Sequence, residues 1–261
     1  MRTLVRFSSA LLLATATAFA MPACATGGDE DDLLEELDAE ASAKASFEVW
    51  QNEGGAWFFH MTASNGQTLL SSEAYENRVG ALSGLLSVLD NGGLTSRYTT
   101  KKGTDGKYYV SLKAANGATI ATAQGYKSKS NATRAITAMT RSVGGYLEAQ
   151  AARTGARIET FADAAGQFRF SVYAANGQRV LASEGYVNEA LALNGAMAVT
   201  ENAAARAQYN VLPSSGGAGY YFTLEGGNGE IIGVSEVYST KAAADRAVNA
   251  LITLAPNLAA L

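Results

Sequence analysis

The chain has 261 residues, with 20 Lys and Arg against 24 Asp and Glu, so its formal net charge at neutral pH is −4. One Cys and one His exclude an internal disulfide and a Cys/His zinc cluster. At 48% hydrophobic residues the chain has material for two modest cores.

The N-terminus reads as an export signal. Arg2 and Arg6 form a basic region ahead of an apolar run, Ser8 to Ala20, too short to span a bilayer stably. Cys24, the only cysteine, stands just past that run and resembles a lipobox cysteine, which is lipidated after the preceding residues are removed. Met21 and Pro22 depart from that pattern, and ordinary cleavage after Ala20 is the alternative. Residues 1–23 are thus a signal peptide and 24–46 an acidic tether, with eight acids between Asp29 and Glu40. Like charges repel and extend such a chain, which would hold a folded body off a surface.

The body is four copies of one unit. Asn65-Gly66, Asn116-Gly117, Asn176-Gly177 and Asn228-Gly229 each mark a hairpin, for which the dipeptide predicts a tight type I′ turn. Each is preceded by an alternating strand: Trp57, Phe59, Met61; Tyr108, Val110, Leu112; Phe168, Phe170, Val172; Tyr220, Phe222, Leu224. Period two with one apolar face predicts a half-buried antiparallel strand. An earlier strand opens each unit at Phe47, Tyr98, Ile158 or Tyr209, and a third follows the Asn-Gly. Ten residues after each Asn stands Tyr75, Tyr126, Tyr186 or Tyr238, and twelve after it Asn77, Ser128, Asn188 or Thr240. The last four are N-cap residues, and apolar positions then recur at helical spacing, as in Ala81, Leu85, Val88. Each repeat is β-β-β-α.

The Asn-Gly spacings are 51, 60 and 52 residues, so the longer middle gap separates two pairs of repeats. The expected fold class is α+β: two domains, 47–150 and 151–261, each an antiparallel sheet with two helices on one face. The stretches "WFFHMTASNGQTLLSSEAYENRVGA", "FRFSVYAANGQRVLASEGYVNEALA" and "YYFTLEGGNGEIIGVSEVYSTKAAA" share an Asn-Gly, a Ser-Glu and a Tyr at fixed spacing. In this the chain resembles the YegP-like family of small tandem-repeat domains of unknown function, over nearly everything after residue 46. Repeat 2 departs, with Ala123 and Gln124 in place of Ser-Glu. The resemblance implies a fold and no activity.

No zinc, phosphate-loop or nucleophile motif is present, and no catalytic residue, metal or cofactor is expected. His60 falls on the strand face opposite Phe59 and Met61. Glu73, Glu184 and Glu236 occupy one register, read as holding the strand-to-helix corner by accepting hydrogen bonds from backbone or from a neighbouring repeat. A glycan-hydrolysing reading instead needs a cleft where these acids face another acid and the first repeat's aromatics.

Differences between repeats are where binding would show. Repeat 2 is basic, net +8 from Arg97 to Arg141, whereas Phe47 to Ser96 nets −4. Lys101, Lys102, Lys107, Lys127 and Lys129 form a candidate anion-binding patch for an envelope polysaccharide or an acidic protein. Nucleic acid fits the charge but conflicts with the export signal. Trp50 and Phe58 are candidate platform residues for sugar or peptide. The expected protein is an exported periplasmic or outer-membrane lipoprotein, or a secreted soluble one, with a structural or interaction role and no enzymatic one.

Overall fold

The computed structural model describes residues 45–261; the signal segment, Cys24 and most of the acidic stretch lie outside the described residues. These residues form two compact units, one ending at Ala149 and one running Gln150–Leu261.

In the first unit, β1 (Ser46–Gln51), β2 (Trp57–Thr62) and β3 (Thr68–Ser71) lead into α1 (Arg78–Asn91). Then come β4 (Tyr98–Lys102), β5 (Tyr108–Lys113), β6 (Thr119–Tyr126) and α2 (Lys129–Ala151). The second unit repeats the plan with β7 (Arg157–Ala162), β8 (Phe168–Tyr173), β9 (Arg179–Ala182) and α3 (Glu189–Asn202). It closes with β10 (Tyr209–Pro213), β11 (Tyr220–Glu225), β12 (Ile231–Val234) and α4 (Lys241–Leu254). Each unit is one six-stranded antiparallel sheet, ordered β1-β2-β3-β6-β5-β4 and β10-β11-β12-β9-β8-β7. The third strands of two repeats meet at the centre, where the pairs Ser71–Thr122 and Ala182–Val234 join the halves.

The alternation places the core as expected. Phe59, Met61, Val110, Leu112, Phe170, Val172, Phe222 and Leu224 are fully buried. Each helix starts at its expected cap: Asn77, Ser128, Asn188 and Thr240 accept from the N–H three residues on, at 2.9, 3.0, 2.9 and 3.1 Å. The helical apolar positions Ala81, Leu85, Val88, Ala192, Ala196, Val199, Val248 and Leu251 are buried. Tyr146 of α2 meets Phe47 of β1 edge-on at 4.8 Å.

The Asn-Gly turns differ from the type I′ expectation. In the first, Gly66 N–H donates to Ala63 C=O and Ala63 N–H to Gln67 C=O, both at 2.9 Å, so the loop holds three residues rather than two. Gly66 alone takes the left-handed place, φ +82°, while Asn65 Oδ1 accepts from Gln67 N–H at 3.0 Å. That side-chain bond makes Asn serve the turn before the glycine instead of the left-handed position. The other three turns repeat it.

The invariant tyrosines explain two helical glycines. Tyr75 and Tyr186 stack on Phe59 and Phe170, ring centres 6.1 and 6.4 Å apart, beneath Gly84 and Gly195. A Cβ at Gly84 would collide with the Tyr75 hydroxyl. Gly84→Ala should therefore destabilise the chain by about 1–3 kcal/mol through overpacking. Gly144→Ala, in α2 with nothing within 4 Å of the new carbon, should stabilise it by roughly 0.5–1 kcal/mol. Urea unfolding of the two variants separates these opposite signs.

Two further tyrosines hold the helix ends. Tyr98 hydroxyl donates to Gly92 C=O at 2.9 Å and Tyr209 hydroxyl to Ala203 C=O at 2.7 Å. Burial pushes both phenols well above the ordinary tyrosine range. A raised phenol favours the neutral folded form, so this contribution is whole below the unfolded value of ~10 and is lost as pH rises toward the folded values. Stability should fall above about pH 10, and Tyr209→Phe should reduce that fall, followed by circular dichroism in base titrations.

Candidate functional site

The Ser-Glu pair stands where each strand gives way to its helix. An antiparallel ladder satisfies alternate backbone groups, and a strand that ends beside a neighbour leaves that neighbour's N–H unpaired. Ser183 resolves this with its side chain. Its Oγ accepts from Phe170 N–H at 2.9 Å and donates to Glu184 C=O at 2.7 Å, while its N–H donates to Phe170 C=O at 3.0 Å. Ser72 and Ser235 accept in the same way from Phe59 and Phe222, at 2.9 and 2.8 Å. Pairing then resumes between Phe168 and Tyr186, with Trp57–Tyr75 and Tyr220–Tyr238 as counterparts. Two residues stand opposite one on the neighbouring strand, a bulge that turns the glutamate outward.

The sequence reading gave this corner to the glutamate carboxylates, but the serine hydroxyls hold it. Glu73, Glu184 and Glu236 are exposed. Repeat 2, with Ala123 at the serine position, keeps β6 continuous from Thr119 to Tyr126 and takes its bulge one residue over, Ala123 and Gln124 standing opposite Val110. The recurring serine was visible in three repeats; its role required knowing which N–H lay opposite.

Antiparallel pairing of two equivalent strands sets each corner across from its twin. In the second unit this creates a cleft of about 350 Å³ along β9 and β12, lined by both carboxylates, both serines, Arg179 and Val234. Arg179 Nη2 donates to Glu236 Oε1 at 3.4 Å, both side chains half exposed. This is the cross-repeat donor expected for the glutamate register, and it was not visible from the sequence which residue would supply it. Ile231 holds in repeat 4 the position of Arg179, three residues after the turn Asn, and has no charge to offer Glu184. Burial first, then the charges of Glu184 and Glu230, hold the Tyr186 phenol above its ordinary range.

The candidate binding residues are spread across the first sheet. Trp50 and Phe58 stack at 5.6 Å on β1 and β2, with His60 4.7 Å from Trp50. His60 Nε2 lies 3.0 Å from Glu48 Oε2, and that hydrogen bond lowers the Glu48 carboxyl below its usual range. Lys101 and Lys102 lie on β4, the opposite edge strand, with Lys102 5.6 Å over the Tyr108 ring. At a strand spacing of ~4.8 Å the two edges are roughly 24 Å apart. Lys107 sits in the β4–β5 turn, and Lys127 and Lys129 bracket the start of α2; all five lysines are exposed. Lys101 and Lys102 thus stand on the edge strand opposite Trp50, while Lys127 and Lys129 follow the central strand β6. Arg78, present in repeat 1 alone, lies 5.8 Å over the Trp57 ring. Among the described residues no group of three His, Cys, Asp or Glu could hold a metal ion.

A family model described as "Domain of unknown function (DUF1508)" matches residues 52–98, 104–145, 163–209 and 217–260, more than two thirds of the chain. The chain belongs to this family. Each DUF1508 match takes in the Asn-Gly turn, the corner and all or most of the helix of one repeat. A UPF0339 protein from the ptx operon 5′ region of Stutzerimonas stutzeri is 38% identical over 100 residues, 38% of this chain and 89% of that protein. UPF0339 protein YegP of Escherichia coli K12 is 38% identical over 80 residues, 31% of this chain and 73% of YegP. These relatives correspond in length to one pair of DUF1508 repeats where this chain has two. The solution structure of the Shewanella oneidensis UPF0339 protein SO3888 is 30% identical, with a TM-score of 0.37, covering 40% of this chain and 86% of that one.

The corner assigns different work to adjacent residues. Ser183→Ala strands the buried Phe170 N–H and should destabilise by about 1–3 kcal/mol. Glu184→Gln, at an exposed position, should change stability by less than about 0.5 kcal/mol. Chemical denaturation of both variants tests the division.

Proposed function

We propose that this DUF1508 chain is an exported, lipid-anchored envelope protein whose two units have a non-enzymatic role, structural or interaction-mediating. One observation carries the reading: the polar residues that recur are engaged in making the fold. The serine hydroxyls complete the sheet hydrogen bonds, the asparagines bond within their turns, and Asn77, Ser128, Asn188 and Thr240 cap helices. A residue serving the same backbone bond in several repeats is architecture; chemistry specific to this chain belongs to what differs among them.

The N-terminal residues support the address. A basic start, a short apolar run and Cys24, followed by eight acids, suit a thiol-linked lipid and a charged spacer in the periplasm or at the outer membrane. Cleavage after Ala20 would instead release a soluble secreted protein. Binding of an anionic envelope glycan or an acidic protein is a second reading, favoured by the five exposed lysines of repeat 2.

Labelled palmitate fed to cells making the chain should enter the wild type and not Cys24→Ser. Label absent from wild type refutes the anchor. Capture from envelope extract with residues 41–261 should return an envelope component, and its loss on Lys101→Glu with Lys102→Glu would favour the anionic reading.

A further inference from the structure

The four repeats serve as one another's controls, and repeat 4 departs most along β12. Ile231, Val234 and Val237 are 53%, 40% and 56% exposed. At the same positions repeat 2 has Thr119, Thr122 and Gly125, and repeat 1 has Thr68, Ser71 and Ala74. Exposed aliphatic side chains grouped beside a concave surface mark a contact site more often than scattered ones do. Val234 lines the cleft that also receives Glu184 and Glu236.

The charges of that cleft are unequal. Arg179 bonds Glu236, neutralising one carboxylate. The antiparallel register relates Arg179, three residues before Ala182, to Glu236, two residues after Val234, because Ala182 and Val234 are partners. The same relation carries Ile231 to Glu184. One half of the cleft is therefore an internal ion pair, and the other holds Glu184 near Val234, with Ile231 in repeat 4 standing where repeat 3 has Arg179. Arg169, the other cation near this corner, is engaged with Asp163 at 2.7 Å and with Ser183 C=O at 3.3 Å.

We propose that the β9–β12 cleft binds an alkylammonium group, a primary amine on an aliphatic stem such as a lysine side chain or a linear amine. Glu184 receives the ammonium by charge-assisted hydrogen bonds, and Val234 and Leu181 of the cleft lining cover the stem. The volume of about 350 Å³ is at the small end of ligand sites, suited to one side chain. Anions are disfavoured, since two carboxylates, Glu184 and Glu236, line the cleft against the single Arg179. The first unit's equivalent seam lacks this chemistry: Gln124 stands across from Glu73, and Thr68 and Thr119 occupy the positions of Arg179 and Ile231. The site deepens the interaction reading and rests on it for its biological purpose, though not for its chemistry.

The test is an amide chemical-shift titration of the purified, isotope-labelled full chain with cadaverine and, separately, with pentalysine. Saturable shifts are expected at 179–185 and 231–237, with the equivalent seam of the first unit unmoved. Glu184→Gln should weaken binding about tenfold; Gln124 at the same place in repeat 2 shows that the fold accommodates glutamine there. Arg179→Met frees Glu236 and should tighten binding several-fold, an effect that a merely structural ion pair would not produce. Tighter binding of pentalysine than its charge alone accounts for points to a peptide source, and equal binding per amine to a free amine. Shifts spread over the whole surface, or unaltered in Glu184→Gln, would overturn the site. Palmitate labelling is read separately, so a failure of the cleft and a failure of the anchor are told apart.

Discussion

The fold depends on ending a strand beside a buried neighbour without leaving that neighbour's N–H unpaired. An unpartnered buried amide costs about 1–3 kcal/mol, a large share of a small unit's stability. The hydroxyls of Ser72, Ser183 and Ser235 take the place of the missing ladder partner. The bulge beside each serine turns the next residue outward, and the tyrosine two residues beyond it rejoins the ladder. That tyrosine then lies over the core phenylalanine, which leaves no room for a side chain at Gly84 or Gly195 on the helix above. In repeats 1 and 3 the serine, the stacked tyrosine and the helical glycine stand together at this corner.

Pairing two such repeats has a second consequence. Because the central strands run antiparallel, each unit brings one corner against another, so residues in the same register become neighbours. In the first unit the paired corners carry Glu73 and Gln124; in the second they carry Glu184 and Glu236, with Arg179 engaging one of them. A near-symmetric frame thus carries unequal chemistry. The basic residues of repeat 2 have an architectural use as well: Lys101 and Lys102 lie on an edge strand, where charge opposes pairing with another sheet. Pro213, on edge strand β10, removes a ladder donor to the same effect.

Local features were legible because their causes are local. A side-chain cap reaches three residues along the chain and a half-buried strand alternates by two, so Asn77, Ser128, Phe59 and Phe170 took their expected places. The turn type was not legible, since Asn65 suits either a left-handed position or a side-chain bond to Gln67, and only the backbone path selects the second. The glutamates were assigned the serines' work because both residues recur together, and sequence does not show which one faces an empty N–H. Arg78 and Trp57 are 21 residues apart, and only the fold sets one over the other.

By itself, the sequence determined the four-fold repeat, the β-β-β-α order within it, the caps, the buried strand faces and the pairing of repeats into two units. These rest on periodicity and on contacts a few residues apart. Tertiary structure decided that third strands meet at each sheet's centre, and hence that Glu184 and Glu236, 52 residues apart, share a cleft with Arg179. It also decided that Lys101 and Lys102 lie on the edge strand opposite the one that carries Trp50. The reason is physical: hydrogen bonds between strands are the same for every sequence, so which strands adjoin is settled by how whole repeats bury their faces together.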